Sequence, residues 1–286
     1  MEASGKRYIV HGSKTDEFRI WNLADFHLMS AACAEERLGA DRNEIRDDPY
    51  SFWIGGGDYT ECISYKDKRF DPDSVDRKVT VQELGEIAKA GYERVRDLFA
   101  PIKHKCLGLL MGNHEKTLEL HTQQSDRTIW LCNELGVPNL RYCAMFDLIF
   151  ARRTGVRQPK LRFEPTEGRA DSRTFRVFCH HGAGFATTPG GKLNKLIQFM
   201  NSFDADMYFC GHVHDQVGRR QVDVTANDDC TKLQERVRLG VISGSYLKTY
   251  SQGITTYAEQ RGYAPVTLGA AFVKIKPYTR ELRGEI

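Results

Sequence analysis

The chain has 286 residues, of which 41% are hydrophobic and 28% charged, and its formal net charge is +3. This length and apolar content suit one large domain or two small ones, and ordinary glycine and proline usage excludes collagen-like and low-complexity classes. So small a net charge neither requires nor excludes a polyanionic partner.

The N-terminus and the cysteines predict a cytoplasmic protein. The first residues, MEASGKRYIVHG, lack the apolar core of a signal peptide, and the longest apolar runs are far too short to cross a bilayer. Eight cysteines occur without a CxxC pair. This spacing argues against a disulfide framework and against a cysteine–zinc site, so we expect buried thiols and no membrane contact.

Five short apolar runs each end in a polar turn that carries a histidine or an aspartate. Such runs, bounded by turn residues, predict buried strands. In chain order they cover residues 18–23, 51–54, 106–111, 174–179 and 207–210.

Helices are predicted between these strands. Thr80 and Glu83 have the spacing of a capping box at the start of a helix over residues 80–99, and shorter helices are predicted over 125–135 and 193–203. Strands that alternate with helices predict an α/β fold. The last third adds strand-like runs at 219–224, 236–242 and 270–275, which predict a second sheet packed on the first.

No linker or repeat divides the chain, so we predict a single domain over residues 1–286. Residues 150–173 are polar, basic and rich in turn formers, which predicts an exposed insertion or long loop. The same segment has two interpretations. Five of its basic residues form a cluster: Arg152, Arg153, Arg157, Lys160 and Arg162. This cluster either follows a nucleic-acid backbone or forms a solvated loop with the acidic residues that come after it.

Six of the nine histidines fall in the polar turns, close to two aspartates and an asparagine. A single histidine there would usually be structural, but six at strand ends are concentrated where α/β sheets bind ligands. Imidazole and carboxylate groups suit Zn, Fe, Mn and similar ions. Two such ions, about 3.5–4 Å apart, can share a bridging carboxylate and hydroxide. The turns therefore predict a site for two metal ions.

The turns also resemble the motifs of the calcineurin-like metallophosphoesterase family. Five blocks appear in the family's order: Asp25-x-His27, Gly57-Asp58-x-x-Glu61, Gly112-Asn113-His114-Glu115, His181-Gly182 and Gly211-His212-x-His214. The resemblance implies two packed mixed β-sheets flanked by helices, in a four-layer αββα sandwich. It also implies hydrolysis of a phosphomonoester or phosphodiester by metal-bound hydroxide. Two divalent ions would be the cofactors, with Mn favoured and Fe, Zn or Ni as alternatives.

The resemblance assigns a role to each motif residue. Asp58 would bridge the two ions, and His114 would act near the leaving-group oxygen as general acid or transition-state donor, without binding metal. The first ion would also be bound by Asp25, His27 and His214. The second would also be bound by Asn113, His181 and His212.

Several residues keep two interpretations. Glu61 stands where many family members carry aspartate, a change we expect to be harmless. Adjacent strand residues point to opposite faces. Only one of His180 and His181 should therefore bind metal, and His181, which precedes glycine, matches the family better. Glu115 either orients His114 or is an ordinary acid at a helix N-terminus. Tyr59 either contacts substrate or packs in the core.

Two alternatives to a small-substrate phosphoesterase follow from the same residues. The basic segment favours a nuclease that acts on DNA or RNA. A non-catalytic binding module of the same fold is the other, although every motif position is intact. The sequence leaves the phosphate-ester substrate, the metal and the oligomeric state open.

Overall fold

The computed structural model describes residues 1–286 except 62, 64–69, 123–126, 166–170, 185 and 228, and no side chains over 119–122. The described residues form two mixed β-sheets flanked by helices. None of these helices has the length and apolar character that a membrane crossing needs.

The larger sheet has seven strands in the order β6-β1-β5-β7-β8-β10-β9. Its strands β7, β8 and β10 run parallel to one another, whereas β5 runs antiparallel to β7 and β9 antiparallel to β10. In chain order the strands are β1 (Glu2–His11), β5 (Cys143–Arg152), β6 (Lys160–Arg162), β7 (Asp171–His180), β8 (Met207–Cys210), β9 (Val217–Ala226) and β10 (Leu233–Ile242).

The smaller sheet has five strands in the order β12-β11-β2-β3-β4. Strands β2, β3 and β4 run parallel, and β11 joins antiparallel to β2. The strands are β2 (Phe18–Leu23), β3 (Ser51–Gly55), β4 (Cys106–Leu109), β11 (Ala271–Lys276) and β12 (Glu281–Glu285).

Helices flank both sheets. They are α1 (Glu35–Asp47), α2 (Val81–Gly85), α3 (Ile87–Phe99), α4 (Asn113–Thr122), α5 (Arg127–Leu135), α6 (Pro189–Ser202) and α7 (Tyr257–Gln260). Two 3₁₀ helices lie at Pro72–Ser74 and Ala100–Lys105.

Side-chain alternation along the strands produces the four layers. In β2, Ile20 faces the core between the sheets, and Trp21 packs under helices α1 and α3. In β8, Phe209 enters the same central core while Tyr208 packs beneath α6. Because strand side chains alternate between faces, each central strand buries both of its faces. The predicted αββα sandwich is therefore present.

Several sequence predictions need correction. The final strands do not form a separate sheet, because β9 and β10 extend the larger sheet and β11 and β12 extend the smaller one. The helix predicted over 80–99 is interrupted at Glu86, although the Thr80 capping box is present. The helix predicted at 193–203 begins four residues earlier, at Pro189, because Thr188 caps it.

The predicted insertion over 150–173 is strand at its two ends and at Lys160–Arg162, and an irregular, largely exposed segment over 153–159. Strand β5 continues to Arg152, residues 160–162 form β6 against β1, and β7 starts at Asp171. Alternating apolar residues carry β5 into the start of the segment, which its basic composition concealed. The described residues 163–165 are exposed, and residues 166–170 lie outside the described part of the chain.

Candidate metal centre

All seven predicted ligands meet where five parallel-strand ends from the two sheets converge. One group forms after β2 and β8. In it, His214 Nε2 lies 3.4 Å from Asp25 Oδ1 and 3.3 Å from His27 Nε2. Asp25 and His27 are buried, whereas His214 is partly exposed. These three side chains offer one oxygen and two nitrogens that all lie within 4.8 Å of one another.

A second group forms after β3, β4, β7 and β8. His181 Nε2 lies 2.9 Å from Asn113 Oδ1 and 3.3 Å from Asp58 Oδ2, and His212 Nδ1 lies 2.8 Å from Asn113 Oδ1. Asp58 also lies within 4.8 Å of His27 and so stands between the two groups. Its Oδ1 accepts the His114 amide at 2.9 Å.

In His181 and His212, the hydrogen bond made by one ring nitrogen decides whether the other carries a proton or a free lone pair. His181 Nδ1 donates to Gly56 O at 2.8 Å, and His212 Nε2 donates to Gly184 O at 3.0 Å. In the neutral rings, the opposite nitrogens are therefore acceptors, and both of them face Asn113 Oδ1. Acceptor atoms this close repel one another unless positive charge lies among them.

Asp25 shows the same need for a cation. Its Oδ1 is buried and makes no well-aligned hydrogen bond with the described residues, although His214 Nε2 lies 3.4 Å away. A buried carboxylate oxygen without a donor is costly. Two converging sets of nitrogen and oxygen acceptors fit a pair of divalent ions better than protons, because one proton serves only two atoms. The ligand types suit Mn, Fe, Zn or Ni, and the sets offer no thiolate.

The carboxylates stabilise positive charge throughout the centre. Burial would raise the pKa of Asp58, but the charges of His181 and His114 hold that pKa well below its usual value. Burial opposes charge on His181, yet the charge and hydrogen bond of Asp58 raise its pKa to about 10. The pKa of His114, opposed by burial but favoured by Asp58 and Glu61, is raised to about 9.

The backbone at the ligands is unusual. Five of the nine described non-glycine residues with positive φ are predicted ligands: Asp25 (55°), His27 (49°), Asp58 (52°), His212 (72°) and His214 (50°). Residues other than glycine rarely adopt this left-handed backbone conformation, and strained residues of this kind are common at functional sites. The sharp turns it produces aim successive strand ends at one point.

Glu61 has a larger role than the sequence indicates. Its Oε2 accepts from His27 Nδ1 at 3.0 Å, and its carbonyl oxygen accepts from His114 Nδ1 at 2.8 Å. One residue therefore orients a predicted ligand and the predicted proton donor. The expectation that Glu61 is a harmless substitution overlooked this contact.

Glu115 does not orient His114 as one interpretation expected. It is buried, and its carboxylate accepts three backbone N–H groups, from Asp58 and Gly112 through Oε2 and from Tyr59 through Oε1. Burial, followed by the charge of Asp58, raises its pKa to about 7. Glu115 lies in the first turn of α4, as the second interpretation expected, and it also ties the turn after β3 to the turn after β4.

Two other uncertain residues lie outside the ligand groups. Tyr59 is fully buried and donates to Leu110 O at 2.8 Å, which favours the core-packing interpretation over substrate contact. His180 points to the outer face of the larger sheet, where its ring centroid lies 4.7 Å from that of Phe199. His181 is the member of the pair that faces the other ligands.

No family model matches the chain, and the comparison with curated proteins found no match. Among solved structures, a metallophosphoesterase from Sphaerobacter thermophilus is 14% identical, with 93% of this chain and 87% of that one covered and a TM-score of 0.36. A Vps29 single mutant from Entamoeba histolytica is 9% identical, with 94% and 97% covered and a TM-score of 0.28. Because these scores are low, the proposed function rests on the geometry of the centre.

Proposed function

We propose that this chain is a dinuclear metal-dependent phosphoesterase that hydrolyses a phosphomonoester or phosphodiester. The observation that carries the proposal is the position of Asp58. A carboxylate oxygen of Asp58 lies within 4.8 Å of a ring nitrogen of His27, from the first group. The carboxylate also lies within 4.8 Å of ring nitrogens of His181 and His212, from the second group. A carboxylate shared by two groups of metal-ligand type is the arrangement that a two-metal phosphoesterase requires.

Each ion would have its own ligands in addition to Asp58. The first would be held by Asp25, His27 and His214, and the second by Asn113, His181 and His212. A pair of divalent ions, when bound, supplies Lewis acidity that lowers the pKa of a coordinated water from about 15.7 to about 7 and neutralises charge on a phosphoryl group.

His114 would donate a proton to the leaving group. Its Nδ1 is held by the Glu61 carbonyl at 2.8 Å, so the transferable proton lies on Nε2. In the metal-free chain, burial opposes charge on this ring but Asp58 and Glu61 raise its pKa to about 9, so the ring is protonated at neutral pH before metal binds. A departing alkoxide needs such a donor.

The proposal is tested with purified, metal-stripped protein. An aryl phosphomonoester, an aryl phosphodiester, nucleotides and DNA are each assayed with Mn²⁺, Mg²⁺, Zn²⁺ and Ni²⁺ added singly. We expect turnover of at least one ester that requires a divalent ion and is lost on chelation. Absence of turnover with every ester and every ion would contradict the proposal.

The position of the basic segment gives the nuclease alternative little support. Cys143, at the start of β5, pairs with His180 beside the metal centre, whereas Arg152, at the other end of β5, pairs with Asp171. Nine residues of strand separate these ends by about 30 Å. The basic segment thus begins at the end of the strands opposite the metal centre, where it would not guide DNA or RNA into the centre.

A further inference from the structure

A short glycine segment runs along the side of His212. Gly182 has a φ of +123°, and a Cβ built on it would lie 2.5 Å from His212 Cβ and 2.7 Å from the Gly211 carbonyl oxygen. No side chain fits in that space, so the backbone itself packs on the histidine. Two residues further along, Gly184 O accepts the hydrogen bond from His212 Nε2 at 3.0 Å.

Both peptide groups of Gly182 are held by side chains that do not belong to the metal groups. The Gly182 amide donates to His180 Nδ1 at 2.8 Å, and the Gly182 carbonyl accepts from the Tyr142 hydroxyl at 3.1 Å. The two side chains also pack on each other, with ring centroids 5.3 Å apart in an edge-on arrangement. His180 is braced from the other side by Phe199 of α6.

We propose that His180 and Tyr142 are positioning residues that set the tautomer and orientation of His212. They fix Gly182, and Gly182 in turn fixes the Gly184 carbonyl. That carbonyl keeps the His212 proton on Nε2, so Nδ1 stays free of a proton and faces Asn113 Oδ1 at 2.8 Å. The inference depends on the proposed function only in that a metal ion binds at the second group.

Hydrogen bonds behind a metal-binding histidine commonly change metal affinity by about 10–100-fold when removed. We therefore expect His180→Leu and Tyr142→Phe each to weaken binding of one ion by about that factor and to leave the other ion unaffected. His180→Asn, whose amide oxygen can accept from Gly182, should recover most of the affinity. The double variant should lose less than the sum of the two, because both side chains hold the same residue.

The measurement is calorimetric titration of Mn²⁺ into metal-stripped protein, which resolves the two binding constants without any turnover. His104→Leu and Tyr257→Phe, at exposed positions, are the matched controls. Thermal unfolding checks that each variant is folded, and Tyr142→Phe, which keeps the ring, provides a mild change if His180→Leu does not fold. Long-range ¹H–¹⁵N spectra of the metal-free protein report the His212 tautomer directly.

Folded variants that bind both ions within about twofold of wild type, or that keep the wild-type His212 tautomer, would overturn the inference. So would a His180→Asn protein as weak as His180→Leu. A wild-type chain that binds two ions but hydrolyses no phosphate ester would instead overturn the proposed function and leave this inference standing.

Discussion

Glu61 Oε2 lies 3.0 Å from His27 Nδ1, across the ring from the Nε2 atom that faces His214. This contact fixes the orientation of the His27 ring and leaves the Nε2 lone pair available to the first ion. Burial would raise the pKa of Glu61, but the hydrogen bond from His27 lowers it, so the carboxylate stays ionised. The acid therefore makes the imidazole a stronger ligand.

Glu61→Gln should weaken binding of the first ion by about 10–100-fold, because an amide orients the ring without a charge. Glu61→Asp should retain more of the affinity if its shorter side chain still reaches Nδ1. Calorimetric Mn²⁺ titration measures both effects, with the exposed Glu36→Gln as control. Equal affinities for Glu61→Gln and wild type would contradict this role.

Asp58→Asn should remove nearly all phosphoesterase activity. The substitution keeps the size of the side chain but takes away the charge that would lie between the two ions. Steady-state assays at saturating Mn²⁺ measure the loss, and Asp97→Asn, a surface acid with 69% exposure, is the control. Wild-type turnover by Asp58→Asn in metal-defined buffer would contradict a shared carboxylate.

His114→Gln should lower kcat by roughly 10²–10⁴-fold when the leaving group is an alkoxide. The loss should be much smaller with p-nitrophenyl phosphate, because p-nitrophenolate departs without a proton. Parallel assays with an alkyl and an aryl ester measure the difference, and metal titration of the variant should match wild type. Equal losses with both esters would assign His114 to orientation of the phosphoryl group instead of proton donation.

The sequence predicts the strands that lead into the motif turns and misses several of the others. The run at 207–210 coincides with β8, since four buried residues between polar turns leave no other reading. Strand β1 is not predicted because only part of it is buried. Helix α1 is not predicted because its buried face, which consists of Leu38, Asp41 and Ile45, includes a charged residue. Such elements are stabilised by tertiary packing more than by their own pattern.

The ligands were found from their order along the chain, but the contacts behind them were not. Gly56 and Gly184 act through backbone carbonyls, which no residue type encodes. The left-handed conformation of Asp25 and Asp58 leaves no mark in the sequence, because the surrounding turns impose it. Glu61 was visible as a motif residue, yet its reach to His27 depends on how two turns pack.

Glu115→Ala should destabilise the protein by about 3 kcal/mol or more, because three buried backbone N–H groups would lose their acceptor at about 1–3 kcal/mol each. Urea unfolding of metal-stripped protein measures the change, with the more exposed Glu134→Ala as control. A loss no larger than that of the control would show that water replaces the carboxylate in this position.

Lys105 offers a test of stability far from the metal centre. Its ammonium group is mostly buried and donates to the carbonyl oxygens of Ile45, Arg46 and Asp48, at and just beyond the end of α1. Carbonyls at a helix C-terminus have no partner within the helix, and the helix dipole favours a cation there. Lys105→Met keeps the apolar stem and removes the donor, so we expect a loss of about 1.5–3 kcal/mol in urea unfolding. Lys103→Met, at an exposed position in the same 3₁₀ helix, should change stability by less than about 0.5 kcal/mol. Similar values for the two variants would mean that the three carbonyls are solvated without the lysine.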